Sequence, residues 1–238
     1  MGLWKYFKFS IFVIVFFTFG GNSGILGQTH ENDLVHGFGI SNFSKYDTLG
    51  SYLNSRENAL EDLKASLFTS VILEYYGTNT LNVRLKTEFS ILDSINTDQE
   101  ILEEYFIDDD VIVVILKLED ERFSKYFQSN YLELEKLNSL VTTIKSGNWW
   151  LAYGDASYSV FNPNDSCVNA KQDALKNLST HLGSKIQSVQ SEFNDDFSSI
   201  TYLTSKTIFK NIIVVYREMK EDKCKVKIAV NLNDILKF

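Results

Sequence analysis

Few residues in this chain have the types and spacing that chemistry needs. Its only cysteines, Cys167 and Cys224, are 57 positions apart (224 − 167 = 57). In an oxidising compartment two such cysteines invite a disulfide, and two separately buried thiols are the other reading. A bridge closing that loop stabilises by about 4 kcal/mol on the chain-entropy model. Asp108, Asp109 and Asp110 offer the hard oxygen ligands a calcium ion takes, but without the spacing of an EF-hand loop. They read more simply as a turn between strands. Of the three histidines, one sits at the N-terminal junction, and His181 has no second ligand at metal spacing. The chain contains no glycine-rich phosphate loop, Gly-x-Ser-x-Gly elbow or His-Glu-x-x-His motif. Its carboxylates are many, and no pair stands out for glycosidase chemistry. Trp149, Trp150 and Tyr153 lie on one strand-like run. The two tryptophans must point to opposite faces, so the group reads as core and interface packing or as a shelf for a sugar or peptide. These residues predict a chain with no catalytic, cofactor or metal site. A hydrolase is the residual alternative.

The elements that would position these residues occur twice. Ala59 pairs with Ala174 at an offset of 115 (174 − 59 = 115); Gly39 with Gly154, Leu67 with Leu182 and Val71 with Ile186 share it, and Val114 with Ile228 stands at 114. Apolar residues at i, i+3 and i+7 are common to any core-facing helix. Three blocks at nearly one offset point instead to a duplicated unit; two unrelated α+β domains with similar helices are the alternative. The expected fold is α+β: two similar domains, each a mostly antiparallel sheet of three to five strands with one long helix on one face. The boundaries read as a signal peptide over 1–27, a first copy over 33–120, a helical connector over 121–147 and a second copy over 148–238. In the first copy the pattern predicts a strand at 34–41, a loop at 42–54, and a helix capped by Ser55 and running to about residue 75. Strands follow at 81–91, 100–106 and 111–118. The connector predicts an amphipathic helix over 131–144 that Gly147 terminates. The second copy predicts a strand at 149–161, a helix at 166–193, and a hairpin of 211–219 with 223–232.

The chain is 238 residues long with a formal charge of −8. Removing Lys5 and Lys8 with the leader leaves 21 basic against 31 acidic residues, a balance of −10. That argues against a general nucleic-acid or anionic-membrane binder, which needs a basic face. The N-terminus carries Lys5 and Lys8, then the apolar run 9–19, then small and polar residues. This is the order of an export signal, with cleavage expected after Gly27. An uncleaved anchor is the alternative, because the apolar stretch extended to Leu26 approaches the length of a span.

Three pieces of the second copy carry a resemblance: Tyr153-Gly-Asp-Ala156, the helix opening at 170–178, and the terminal hairpin at 212–232. Weaker counterparts lie at 37–41, 59–67 and 111–118. Together they resemble the LPP-twenty lipoprotein domain and, more distantly, the N-terminal domain of the flagellar outer-ring T protein. The resemblance implies a bacterial envelope protein in the periplasm or at the outer membrane. The lipid-anchor cysteine of that family is missing here, so membrane association would need other means. The expected function is a binding or assembly module acting on an envelope protein or on itself. A small-ligand or glycan binder using Trp149 and Trp150 is the alternative.

Overall fold

A computed structural model describes residues 34–77, 84–91, 102–108, 110–119, 133–187, 201–220 and 222–237. The expected leader, the whole of Asp109, and the helix expectations at Val189 and Phe193 lie outside these residues. The fold is α+β, with three antiparallel sheets.

The chain opens with β1 (Leu34–Asn42), α1 (Thr48–Leu67), β2 (Phe68–Gly77), β3 (Arg84–Ile91), β4 (Leu102–Asp108) and β5 (Val111–Glu119). It continues through β6 (Thr143–Ser146), β7 (Trp149–Ser157), α2 (Pro163–Gln187), β8 (Thr201–Lys210), β9 (Ile213–Lys220), β10 (Lys223–Asn231) and β11 (Ile235–Lys237). One sheet has the order β1-β5-β4 and a second β6-β7-β10-β9. The third, β11-β8-β2-β3, takes two strands from each half of the chain. The halves are therefore joined by backbone ladder bonds between β2 and β8 as well as by side-chain packing.

Several elements depart from the sequence expectation. Helix α1 starts at Thr48, inside the expected loop, because Asp47 caps it: its carboxylate accepts from the Gly50 N–H at 2.9 Å. Ser55 is not the cap. It is fully buried in the helix, and its hydroxyl lies 2.7 Å from the Gly39 carbonyl and 3.0 Å from that of Ile112. The helix stops at Leu67, and the β-branched and aromatic run that follows forms β2. Val71 is thus a strand residue while Ile186 is helical. Of the helix expected at 131–144, only residues 133–135 are helical among the described residues; the chain then turns and enters strand β6. Gly147 ends no helix; it takes a φ of +55° in the turn between β6 and β7.

The two halves correspond most closely where each glycine-bearing strand meets its helix. A Cβ added at Gly39 would strike the Ser55 carbonyl and the backbone of Ala59; one at Gly154 would strike the Ala170 carbonyl and the backbone of Ala174. The partners again stand 115 apart. The hydrogen bonds repeat as well. The Ser44 N–H donates to Ser51 Oγ at 3.0 Å, and the Ser51 hydroxyl donates to the Asp47 carbonyl at 3.0 Å. The Ser159 N–H donates to Ser166 Oγ at 2.9 Å, and the Ser166 hydroxyl donates to the Asn162 carbonyl at 3.2 Å. At the end of the chain the offset differs from expectation. Gly39 faces Val114 and Gly154 faces Val226, so the counterpart of Val114 is Val226, at 112, rather than Ile228. The difference reflects shorter connections in the second half.

Candidate functional site

Asp62 is the most constrained polar residue in the described molecule. Its helix position, with Asn58 one turn before it, lies over the outer edge of β1. The Asn58 amide donates to the Ile40 carbonyl at 3.0 Å, and Asp62 accepts from the Phe38 N–H at 3.0 Å. In the second copy the order of acid and amide is reversed. Asp173 accepts from the Asp155 N–H at 3.3 Å, and the Asn177 amide donates to the Tyr153 carbonyl at 2.9 Å. In each copy an Asx pair on the helix satisfies backbone groups that the strand's ladder leaves open.

Among the described residues this clamp carries an ion cluster only in the first copy. The Lys171 ammonium donates to Asp62 Oδ1 at 2.8 Å, to the Asp62 carbonyl at 3.1 Å and to the Ser66 hydroxyl at 2.6 Å. The Arg217 guanidinium reaches Asp62 Oδ2 at 3.3 Å and lies over the Phe38 ring, 4.1 Å from its centroid. Asp62 and Lys171 are almost wholly buried, and the side chain of Arg217 is only 9% exposed. Burial pushes the Asp62 carboxyl up, but Lys171 and Arg217 more than offset it and hold it below the usual carboxylate range. For Lys171 burial wins, and its pKa is lowered despite Asp62. Asp62 belongs to the first half and both cations to the second, so the cluster bridges the halves. Sequence reading missed it because the partners are 109 and 155 positions apart.

Cys167 and Cys224, singled out from sequence, are brought together. Both are buried free thiols, their sulfurs 3.0 Å apart. The hydrogen bond to Cys224 and burial push the Cys167 thiol up. Cys224 is lowered by its hydrogen bond with Cys167 and by the charge of Arg217, against the effect of burial. Oxidative refolding in a glutathione buffer is expected to close a Cys167–Cys224 bridge. Intact-mass measurement should show two hydrogens lost and no thiol left to alkylate after unfolding; two alkylated cysteines would reject the bridge.

Trp149, Trp150 and Tyr153 are placed less favourably for a ligand. Trp149 and Tyr153 are buried, and Trp150 is half-buried with its ring edge-on to His181 at 5.2 Å. Trp149 joins the core containing Leu151 and Ala229, while Trp150 packs against the core on the α2 side. The alternation expected from a regular strand holds. A ligand shelf at these rings is reduced to the exposed part of Trp150.

The large exposed aromatics lie elsewhere. Tyr46 is 103% exposed and Phe161 87%. They are 115 apart, each in the loop between glycine strand and helix. The segments Phe43-Ser-Lys-Tyr-Asp47 and Tyr158-Ser-Val-Phe-Asn162 share an aromatic-Ser-x-aromatic-Asx pattern, followed four residues after the Asx by Ser51 or Ser166. This pattern is the sequence signal that would have located the loops. Its serines bind backbone, Asp47 caps its helix, and the second aromatic has no structural duty among the described residues.

A further polar group sits on α1 and β4. Glu103 accepts from the Tyr52 hydroxyl and pairs with Arg56 at 3.0 Å, and the Tyr52 and Tyr105 rings meet edge to face at 5.4 Å. Burial and the hydrogen bond to Glu103 raise the Tyr52 hydroxyl to about 12. It stays protonated at neutral pH, which suits a hydrogen-bond donor rather than a nucleophile.

Among the described residues no group of three His, Cys, Asp or Glu side chains could hold a metal ion, and no helix is long and apolar enough to cross a membrane. No family model, curated protein or solved structure matches the chain.

Proposed function

We propose that this chain is a non-enzymatic binding or assembly module of the bacterial cell envelope, exported and acting through protein–protein contacts. The observation that carries the reading is the pair of exposed loop rings, Tyr46 and Phe161. The loop position held by Tyr46 and Phe161 is aromatic in both halves, although neither ring is buried. An aromatic kept without a packing role fits a contact residue, because Tyr and Phe supply large, rigid area to interfaces. The export and envelope parts rest on the leader-like N-terminus and on the resemblance to the LPP-twenty domain.

The test is affinity capture from an envelope extract with the wild-type chain and with the Tyr46→Ala/Phe161→Ala double variant. The wild type is expected to retain a specific partner and the double variant to lose it. Both rings are solvated, so the thermal midpoint should barely move. A wild type that retains nothing, or a double variant that retains the partner equally well, would overturn the reading.

A further inference from the structure

The two halves meet through unlike surfaces. The second copy contributes Lys171 from α2 and Arg217 from β9; the first contributes Phe38 from the edge of β1 with Asp62 and Ser66 from α1, and Cys167 of α2 lies in the core cluster that also holds Phe38. Strand β9 lies alongside β1 without joining its sheet, so side chains make the junction. A contact between unlike faces leaves one face of each kind outside it, and such contacts propagate unless those remaining faces are covered.

The spare faces can be located by register. The spare edge is that of β7, the counterpart of β1. Strand β6 pairs with it through Trp149 to Ala152, and the Thr142 carbonyl accepts from the Tyr153 N–H at 2.8 Å. The chain therefore caps this edge itself. The spare helix-and-strand face belongs to the first copy. The helix offset of 115 makes Tyr52 the counterpart of Cys167 and Arg56 that of Lys171. Tyr105 faces Val114 and Arg217 faces Val226, so Tyr105 is the counterpart of Arg217. The second-copy residues are buried, whereas Tyr105 is 46% and the Arg56 side chain 47% exposed. Ile107, two residues along the same strand, is 47% exposed.

From this we infer that the α1–β4 face of Tyr52, Arg56, Tyr105 and Ile107 is a docking surface for another protein, one that presents an unpaired strand edge beside an acidic helix. The molecule itself shows this mode, since β1 and Asp62 make that combination for Lys171 and Arg217. In a second copy of the chain the two strand edges that carry a helix Asx clamp are already taken, β1 by β9 and β7 by β6, so the partner is a different protein. Glu103 holds Arg56 in the unbound state; its counterpart facing Ile228 is Val214. An exposed pair of this kind costs little to break, so a partner's carboxylate can take Arg56 over. The inference rests on the protein–protein reading above and names the partner's chemistry.

The experiment places a photo-crosslinking residue in the full chain, as Tyr105→p-benzoylphenylalanine and separately as Phe161→p-benzoylphenylalanine, in cells that carry the gene. The expected result is an adduct from position 105 whose partner peptide maps to an edge strand with an acidic helix beside it. Adding Arg56→Glu should reduce that adduct about tenfold, the effect of losing one strong interface contact. An adduct from 161 with none from 105 overturns this surface and leaves the binding module standing. An adduct from 105 onto this same chain, or onto a surface without a strand edge, also overturns it. No adduct at either position removes both readings.

Discussion

Asp62→Ala is expected to destabilise the protein by about 3–5 kcal/mol, the usual cost of leaving buried charges without their partner. The substitution strands the Lys171 ammonium, which keeps only the Asp62 backbone carbonyl and the Ser66 hydroxyl, and the Arg217 guanidinium above Phe38. It also leaves the Phe38 N–H without its acceptor. Replacing all three ions by apolar residues, as Asp62→Leu/Lys171→Met/Arg217→Met, should recover most of the loss, because the desolvation of three charges is removed with their attraction. Urea unfolding of the single and triple variants checks this. A single variant within about 1 kcal/mol of wild type would show that the cluster is hydrated rather than buried.

The same cluster sets an acid limit on stability. The folded-state pKa of Asp62 lies below its ordinary value of 3.8, so the folded chain binds fewer protons than the unfolded one between the two values. Its contribution is therefore complete above the ordinary value and is lost as pH falls through it toward the folded value. Asp62→Asn should flatten this part of the curve of unfolding free energy against pH, and an unchanged acid limb would assign the acid sensitivity to other groups.

Gly154→Ala is expected to cost about 3 kcal/mol or more, at or beyond the top of the range for overpacked cores. The added methyl meets backbone atoms, including the Ala174 Cα at 2.8 Å, so no rotamer change relieves it. Helix α2 must lift from β7, pulling Ala170, Ala174 and Leu178 out of the core. For the same reason Ala174→Gly should fail to rescue the variant, since it removes a methyl that is not the obstacle. Gly39→Ala should behave alike against Ser55 and Ala59. Chemical denaturation of Gly154→Ala alone and with Ala174→Gly decides it: full rescue would mean that side-chain crowding, not backbone approach, requires glycine at that position.

Much of the architecture is local and was legible. The continuous apolar run of β5, the alternation of β10 and the apolar stripe of Ala174, Leu175, Leu178 and Leu182 report a strand buried on both faces, a strand's period of two and a helix's of 3.6, which need only neighbouring residues. The glycine–alanine pairs 39/59 and 154/174 also stood out, because close approach of a strand and a helix leaves small residues at both partners. Helix ends were less legible. Leu67 and Val71 keep helical spacing across a point where the chain turns into β2, since apolar residues four apart suit either element.

What the tertiary structure alone decided is which surfaces meet. Lys171 and its counterpart Arg56 are both basic and both four residues after a residue of the same repeat position, yet one is buried and the other half exposed. Nothing near either residue encodes that difference; it follows from β1 and α1 of the first half covering one face and leaving the other open. The sharing of a sheet by β2 and β8, the contact of Cys167 with Cys224 and the burial of Trp149 and Tyr153 have the same origin. By itself the sequence determined the repeated strand–helix unit, because periodicity and small residues act over a few positions. The joining of two such units depends on contacts across more than a hundred positions, where spacing along the chain carries no geometric information.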